Sequence, residues 1–189
     1  TFDEIRIVVD GLGEIMVLQH LMGSGKEVEK LKLYGGAEID LLSHVFTTVG
    51  TSGNDFIHGT NASWPQQDDI YLFGTGNDEV YEYGGTDTLL FGEGITPGSI
   101  TVSRVTGFGF ANLQFADGSG NTITFLNHFS DTVNNERLER VEFANGTVWN
   151  ISEIEVETVG TSGDDTIFAY ALGDASTNDI ILAGGGNNY

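Results

Sequence analysis

The amino-acid sequence predicts an all-β protein. Short parallel strands, wound through aspartate-rich turns, alternate with antiparallel β-modules in a tandem array of about 110 residues per unit. Three observations lead to this fold class: the chain aligns with itself, aspartates recur every nine residues, and apolar and polar residues alternate outside the aspartate-rich stretches. Alternation of period two is typical of strands, and no long stretch shows the 3.6-residue period of a helix.

The repeat can be followed without gaps over much of the chain. TVGTSGNDFI at 48–57 returns as TVGTSGDDTI at 158–167, and a shift of 110 aligns 28–78 with 138–188. The 189 residues therefore hold about 1.7 units. We expect the chain to be a segment of a longer array of such units.

Each unit has two parts, and together they predict four segments. A glycine- and aspartate-rich part is followed by alternating strands such as SITVSRV and FANLQFA, separated by the turns ADGSGN and ANG. The predicted segments are the C-terminal part of a first β-module at 1–49, a β-roll at 50–90, a second β-module at 91–159 and the start of a second β-roll at 160–189.

Composition argues against several functions. Lys and Arg number 7 against 28 Asp and Glu, so the formal net charge is −21, and such a surface repels nucleic acid and anionic membranes. The chain has no Cys, which excludes disulfides and thiolate metal sites. No apolar run approaches the roughly 20 residues that span a bilayer. Bound cations would reduce the electrostatic repulsion among these acidic groups.

The aspartates of the first glycine-rich part form a ladder. Asp69, Asp78 and Asp87 are nine residues apart, and each is followed two places later by a large apolar or aromatic residue. Asp55 fits the same frame, with extra residues inserted at 59–67. The frame is G-G-x-G-x-D-x-U-x, where U is large and apolar. Nine residues suit a short strand and a tight turn, so turns on one side stack every second nonapeptide.

Stacked turns of this kind predict calcium sites. The stacking pairs Asp55 with Asp78, and Asp69 with Asp87. Only a cation makes two close carboxylates favourable. One carboxylate from each turn, together with turn carbonyls, supplies about six hard oxygen ligands, which suits Ca²⁺.

On these residues the chain resembles a known family. The nonapeptide frame resembles the RTX (repeats-in-toxin) calcium motif. The stretch from DTLLFGEGITPG through ITFLNHF to ERVEFANGTVW is similar to the haemolysin-type calcium-binding-related module of large secreted bacterial proteins. The resemblance implies a parallel β-roll that binds calcium, export by a type I secretion system, and folding once outside the cell. The expected location is therefore extracellular or at the cell surface.

Departures from the motif limit the expected number of ions. Phe73 and Glu82 stand at the position of a first glycine, and Tyr83 at that of a second. We therefore expect two ions at most in the complete roll.

The second copy predicts weaker sites. Asp165 would pair with Asn188, a neutral ligand, and Asp179 has no partner within the chain. The full set of predicted metal ligands is Asp55, Asp69, Asp78, Asp87, Asp165, Asp179 and Asn188.

Each motif also has a simpler, structural interpretation. A single Asp in a glycine-rich turn is usually only a turn former, whereas an in-frame series favours ligands. His20 and His128 are equivalent in the repeat, and we interpret both as structural. The pair Asp68 and Asp69 is explained by the nonapeptide frame, because no nucleophile–base motif accompanies it. Trp64 is interpreted as part of a lid over the roll, with contact to a glycan or partner as the alternative.

The sequence therefore predicts a non-catalytic structural segment of a secreted, calcium-stabilised repeat protein, such as an adhesin stalk, a surface layer or an extracellular filament. The expected partners are neighbouring units, or copies of the chain itself, joined head to tail, with an extracellular glycan or surface as a further partner. The alternative is the carrier region of a secreted enzyme whose catalytic domain lies outside this chain. Many tandem units in the parent protein would favour the first interpretation, and a few beside a catalytic motif the second.

Overall fold

The alternating stretches form strands, and the structure is all-β. The computed structural model describes residues 3–9, 13–20, 30–32, 35–40, 45–59, 68–107, 110–129, 137–160, 162–164 and 179–187. In this part of the chain the helical segments are short 3₁₀ turns at Pro97–Ser99 and Ile151–Glu153. No helix among the described residues is long and apolar enough to cross a membrane.

The chain divides into two units, and the first comprises Thr1–His44 with Asn61–Gln66. Its described strands form two antiparallel pairs. They are β1 (Asp3–Val9) with β2 (Gly13–His20), and β3 (Lys30–Lys32) with β4 (Glu38–Asp40).

The second unit comprises Val45–Thr60 with Gln67–Tyr189 and contains two larger sheets. Its described strands are β5 (Phe46–Val49), β6 (Phe56–His58), β7 (Asp69–Leu72), β8 (Asn77–Tyr81), β9 (Asp87–Phe91), β10 (Thr101–Gly107), β11 (Phe110–Ala116), β12 (Thr122–Phe125), β13 (Leu138–Phe143), β14 (Val148–Asn150), β15 (Val156–Val159) and β16 (Asp179–Leu182). The sheet orders are β16-β15-β10-β11-β12-β8-β6 and β14-β13-β9-β7-β5.

The nonapeptides wind as a parallel β-roll. Strands β5, β7 and β9 pair in parallel in one sheet, and β6 and β8 pair in parallel in the other, so the chain changes sheet at every turn. The apolar residue two places after each aspartate points inward and is buried; these residues are Ile57, Tyr71, Val80 and Leu89. The spacing of the motif thus sets which side chains fill the roll.

The β-module extends both sheets of the roll. Antiparallel pairing was expected throughout the module, and it is found for β10–β11–β12 and for β13–β14. It is wrong for the junctions, because β12 runs parallel to β8, β13 runs parallel to β9, and β15 runs parallel to both β10 and β16. These strands cover the edges that the roll would otherwise leave unpaired, which is why the sheets are mixed.

Aromatic side chains from the two sheets meet in one core. The ring centroids of Tyr71 and Phe125 lie 5.6 Å apart, and those of Phe91 and Phe115 lie 6.2 Å apart, with both pairs edge to face. Phe91 also stacks on Phe143 at 4.9 Å. These contacts join roll strands to module strands, so the end of the roll is packed rather than open.

Local backbone geometry recurs at positions 110 residues apart. The parallel pair β15–β16 has Val156 opposite Asp179, the register that Phe46 and Asp69 have in β5–β7. At Gly76 an added Cβ would lie 2.3 Å from the Gly53 carbonyl oxygen, and at Gly186 it would lie 2.2 Å from that of Gly163. The glycines of both copies therefore allow the same close stacking of turns.

Candidate metal centre

On one side of the roll, two glycine-containing turns stack on each other. We call residues 50–55 and 73–78 the glycine turn pair. Gly76 has φ of +105° and faces the Gly53 carbonyl at a distance that leaves no room for a side chain. The backbone N–H of Asn77 donates to Oδ1 of Asn54 (2.9 Å), which fixes the two turns in register.

Two of the predicted ligands come together in the glycine turn pair. The N–H of Asp55 donates to Oδ1 of Asp78 (3.0 Å), and the N–H of Thr51 donates to Oδ2 of Asp55 (2.6 Å). A Cβ on Gly50 would lie 3.0 Å from Oδ2 of Asp55 and 3.6 Å from Oδ2 of Asp78. Both carboxylates therefore converge on the same glycine, beside the backbone of the turns.

The other side of the roll holds a denser group of acids. Asp69, Glu82 and Asp87 each offer a carboxylate oxygen, and these oxygens all lie within 4.8 Å of one another. We call these three residues the acid cluster. Their side chains are 2%, 1% and 0% exposed. The N–H of Asp69 donates to Oδ1 of Asp87 (2.7 Å), as Asp55 does to Asp78 across the roll.

Glu82 is directed into the cluster by its neighbours. Its Oε1 accepts hydrogen bonds from the N–H groups of Tyr83 (2.7 Å) and Gly84 (3.0 Å), and the Tyr71 hydroxyl donates to Oε2. Gly59 makes room for this arrangement, because a Cβ there would lie 2.6 Å from the Tyr71 oxygen and 2.7 Å from both carboxylate oxygens.

Burial dominates the electrostatics of the acid cluster. It raises the pKa of Glu82 to about 7 and, together with the charge of Glu82, that of Asp87 to about 9. Burial and the nearby Glu82 also raise the pKa of Tyr71, so the phenol stays neutral and donates its hydrogen bond. Ionised carboxylates in this position lack compensation from solvent, which makes the cluster a strong attractor for a cation.

A third acid continues the ladder into the β-module. The N–H of Asp87 donates to Oε2 of Glu139 (2.8 Å), and burial raises the pKa of Glu139 to about 7. Sequence reasoning missed both Glu82 and Glu139. Glu82 was noted only as a lost glycine, whereas Glu139 had a usable signal: the repeat places Glu29 at the same position of the other copy.

The second copy is described only in part. Asp179 begins β16, as its counterpart Asp69 begins β7. The predicted ligands Asp165 and Asn188 lie outside the described residues, as does Trp64. Within the described part, the N–H of Asn187 donates to Oδ1 of Asp164 (2.8 Å), the counterpart of the bond between Asn77 and Asn54.

Two other titratable residues that the sequence singles out make structural hydrogen bonds. His128 is buried, its Nδ1 accepts the N–H of Leu138 (3.2 Å), and burial lowers its pKa to about 3, so it is neutral. Asp68 is exposed and accepts a hydrogen bond from the N–H of Thr86 (2.8 Å), as expected of an aspartate that stabilises a turn.

Oxygen ligands in such numbers suit a hard divalent cation. Ca²⁺ takes six to eight oxygens from carboxylates and backbone carbonyls, in flexible geometry. The acid cluster supplies three carboxylates, and the glycine turn pair supplies two carboxylates beside turn backbone. The donor set of both sides therefore fits calcium.

Part of the chain matches a known protein family. Residues 115–153 match the family described as haemolysin-type calcium binding protein related domain. The match confirms the resemblance predicted from the sequence and supports an RTX-related calcium-binding protein. Searches of curated proteins and of solved structures found no match.

Proposed function

We propose that this chain is a non-catalytic, calcium-stabilised structural segment of a secreted bacterial repeat protein. The acid cluster carries the proposal, because it gathers three buried carboxylates within 4.8 Å. Like charges held this closely away from water oppose folding unless they are protonated or neutralised. A divalent cation turns the same arrangement into a stabilising crosslink between successive turns on one side of the roll.

The hydrogen bonds of two buried titratable side chains support a non-catalytic role. The Tyr71 hydroxyl donates to Glu82, and the neutral His128 accepts a backbone hydrogen bond inside the core. These groups hold the fold instead of facing a cleft where a substrate could meet them. The match at residues 115–153 supports an extracellular setting, because RTX-related proteins are typically extracellular.

The exposed apolar surface of β16 supports head-to-tail joining of units. Ile180, Ile181 and Leu182 are 38%, 46% and 47% exposed. Their counterpart in the first copy, β7, is covered, and Tyr71 at the position of Ile181 is fully buried. A neighbouring unit, in the parent chain or in another copy, would bury β16 in the same way.

Thermal unfolding with and without calcium tests the proposal. Extracellular calcium modules bind on the order of 10⁻⁴–10⁻³ M, and an ion at ten times its dissociation constant adds about 1.4 kcal/mol of stability. We expect the far-ultraviolet circular dichroism signal of β structure and the Tm to rise with calcium. Magnesium at the same concentration should have a smaller effect, because it demands a tighter octahedral site.

An unchanged melting curve in excess chelator would contradict the calcium role. Head-to-tail joining has a separate test, because small-angle scattering of the intact assembly should show an elongated particle with an axial repeat. A compact particle without such a repeat would contradict the joining of units and leave the calcium role standing.

A further inference from the structure

We propose that the acid cluster is a three-carboxylate calcium site in which Glu82 is a direct ligand. This inference rests on the proposed function and goes further, because the nonapeptide frame supplies only Asp69 and Asp87 and places a glycine where Glu82 stands. The substitution that looks like decay of the motif would then create the roll's most highly charged site.

The first support is that Glu82 is held in place from two sides. Its two oxygens accept three hydrogen bonds, two from backbone N–H groups of its own turn and one from the Tyr71 hydroxyl on β7. Each carboxylate oxygen has more than one lone pair, so both can still bind a cation. A side chain that merely filled a lost glycine position would be expected to turn toward solvent, whereas Glu82 is 1% exposed.

The second support is an unsatisfied oxygen. Asp87 is fully buried, and its Oδ1 accepts the N–H of Asp69. Within the described part of the chain, its Oδ2 has no hydrogen-bond partner. Buried polar atoms are nearly always paired, and each exception requires an explanation. An ion bound among the three carboxylates explains this one.

Gly59 supplies a third, independent observation. Its φ is not in the left-handed region, so the turn does not require glycine for its backbone conformation. What requires it is space, since a Cβ would come within 2.7 Å of the Glu82 carboxylate. The backbone directly after β6 thus leaves room for the carboxylate of Glu82.

Calcium titration of Glu82→Gln by calorimetry tests the assignment. The amide keeps the shape of the side chain: its oxygen can accept the backbone N–H groups and its NH₂ can donate to the Tyr71 oxygen. Only the charge is lost. We expect the affinity of the tighter calcium-binding event to fall at least roughly tenfold, because ligand charge sets calcium affinity in such sites. Glu93→Gln, the same chemical change at an exposed glutamate, is the matched control and should bind like the wild type.

Terbium luminescence of the wild type locates the ion independently. Tb³⁺ replaces Ca²⁺ at oxygen sites and emits when a tyrosine close to it is excited. The Tyr71 hydroxyl touches Glu82, so Tyr71→Phe should reduce the sensitised emission per bound terbium ion by more than half. This measurement remains decisive if Glu82→Gln fails to fold.

The outcomes separate this inference from the proposed function. If the wild type binds calcium and Glu82→Gln binds it equally well, or if Tyr71→Phe leaves the terbium emission unchanged, Glu82 is not a ligand and the calcium role stands. If the wild type binds no calcium, both proposals fail.

Discussion

The glycine turn pair and the acid cluster lie on opposite sides of the same β-roll, and they present their carboxylates differently. In the glycine turn pair the backbones of two turns touch, and Asp55 and Asp78 converge beside them. In the acid cluster a third carboxylate replaces a glycine and fills the interior. Both sides keep the same bond from the N–H of one aspartate to the carboxylate of the next turn.

The difference shows what a glycine contributes at each position of the frame. In the glycine turn pair, Gly76 at the third glycine position allows close approach of turn to turn, so turn backbone lies near the acids. Glu82 stands at the first glycine position, where the turn at 73–78 has Phe73, so its turn gains a charge and still has Gly85 at the position of Gly76. One nine-residue frame can therefore build a backbone-rich site or a carboxylate-rich site, depending on whether the first position of a turn holds a glutamate or an uncharged residue.

The largest effect is expected from filling the close approach in the glycine turn pair. Gly76→Ala places a Cβ 2.3 Å from the Gly53 carbonyl at φ of +105°, so the backbone itself must move. Strain of this kind costs on the order of 1–3 kcal/mol before the lost stacking is counted. Gly59→Ala should cost less, because it meets only the ends of side chains. Denaturant unfolding in calcium measures both.

Gly92→Ala is the control for these two glycines, because a Cβ there meets nothing within 4 Å and its φ is not positive. It should change the free energy of unfolding by less than about 0.5 kcal/mol. Equal losses for Gly76→Ala and Gly92→Ala would show that the turns of the glycine turn pair do not stack as described.

Neutralising Asp87, a fully buried acid of the cluster, is expected to change stability in opposite directions with and without calcium. Asp87→Asn keeps an oxygen for the N–H of Asp69 but removes a buried charge. With calcium present the variant should be less stable than the wild type by about 1–3 kcal/mol, because a charged ligand is lost. In chelator it should be the more stable protein, because folding no longer requires residue 87 to be protonated or buried as a charge. Loss of stability in both conditions would contradict a cation at the acid cluster.

The sequence predicted the stacking of aspartates because spacing alone determines it. A nine-residue period, with an apolar residue two places after each Asp, admits one way to bury Tyr71 and Leu89 while keeping Asp69 beside Asp87. The inward direction of Glu82 could not be predicted. It depends on Gly59 and Tyr71, which lie on earlier turns of the roll and come close to Glu82 only after the roll has formed.

The mixture of parallel and antiparallel pairing in the module could not be predicted, for a different reason. Period-two alternation is the same in parallel and antiparallel strands, so the residues of β12 and β13 carry no sign of direction. Their direction follows from the roll strands that they extend, β8 and β9. Turn signals such as ADGSGN, in contrast, correctly identified the hairpin of β11 and β12.

A smaller effect is expected from pH in calcium-free buffer. The folded-state pKa values of Asp87 and Glu82 are raised from 3.8 and 4.5 to about 9 and about 7. A raised pKa means that the folded state holds its proton more tightly than the unfolded chain. The associated stability is complete below about pH 4 and is lost as the pH rises toward 9. We expect the Tm to fall by at least about 2–4 °C between pH 5 and pH 8, equivalent to about 1 kcal/mol.

General relief of negative charge at low pH would act in the same direction, so the variant Asp87→Asn serves as the reference. Its Tm should fall less over the same interval. Saturating calcium should also reduce the fall, because the ion binds the deprotonated carboxylates. A wild type and a variant with the same pH dependence would show that Asp87 does not hold the proton.

The smallest effect separates a ligand from a turn former. Asp78→Ala and Asp68→Ala each remove one carboxylate that accepts a backbone N–H, from Asp55 in the first case and from Thr86 in the second. Without calcium the two variants should therefore lose similar stability, about 0.5–1.5 kcal/mol for each lost hydrogen bond. Calcium should separate them, because only Asp78 lies in the frame at the ligand position. Calorimetric titration should show weaker binding for Asp78→Ala and wild-type binding for Asp68→Ala. Equal loss of calcium binding in both variants would mean that the nonapeptide frame assigns the wrong aspartates to the glycine turn pair.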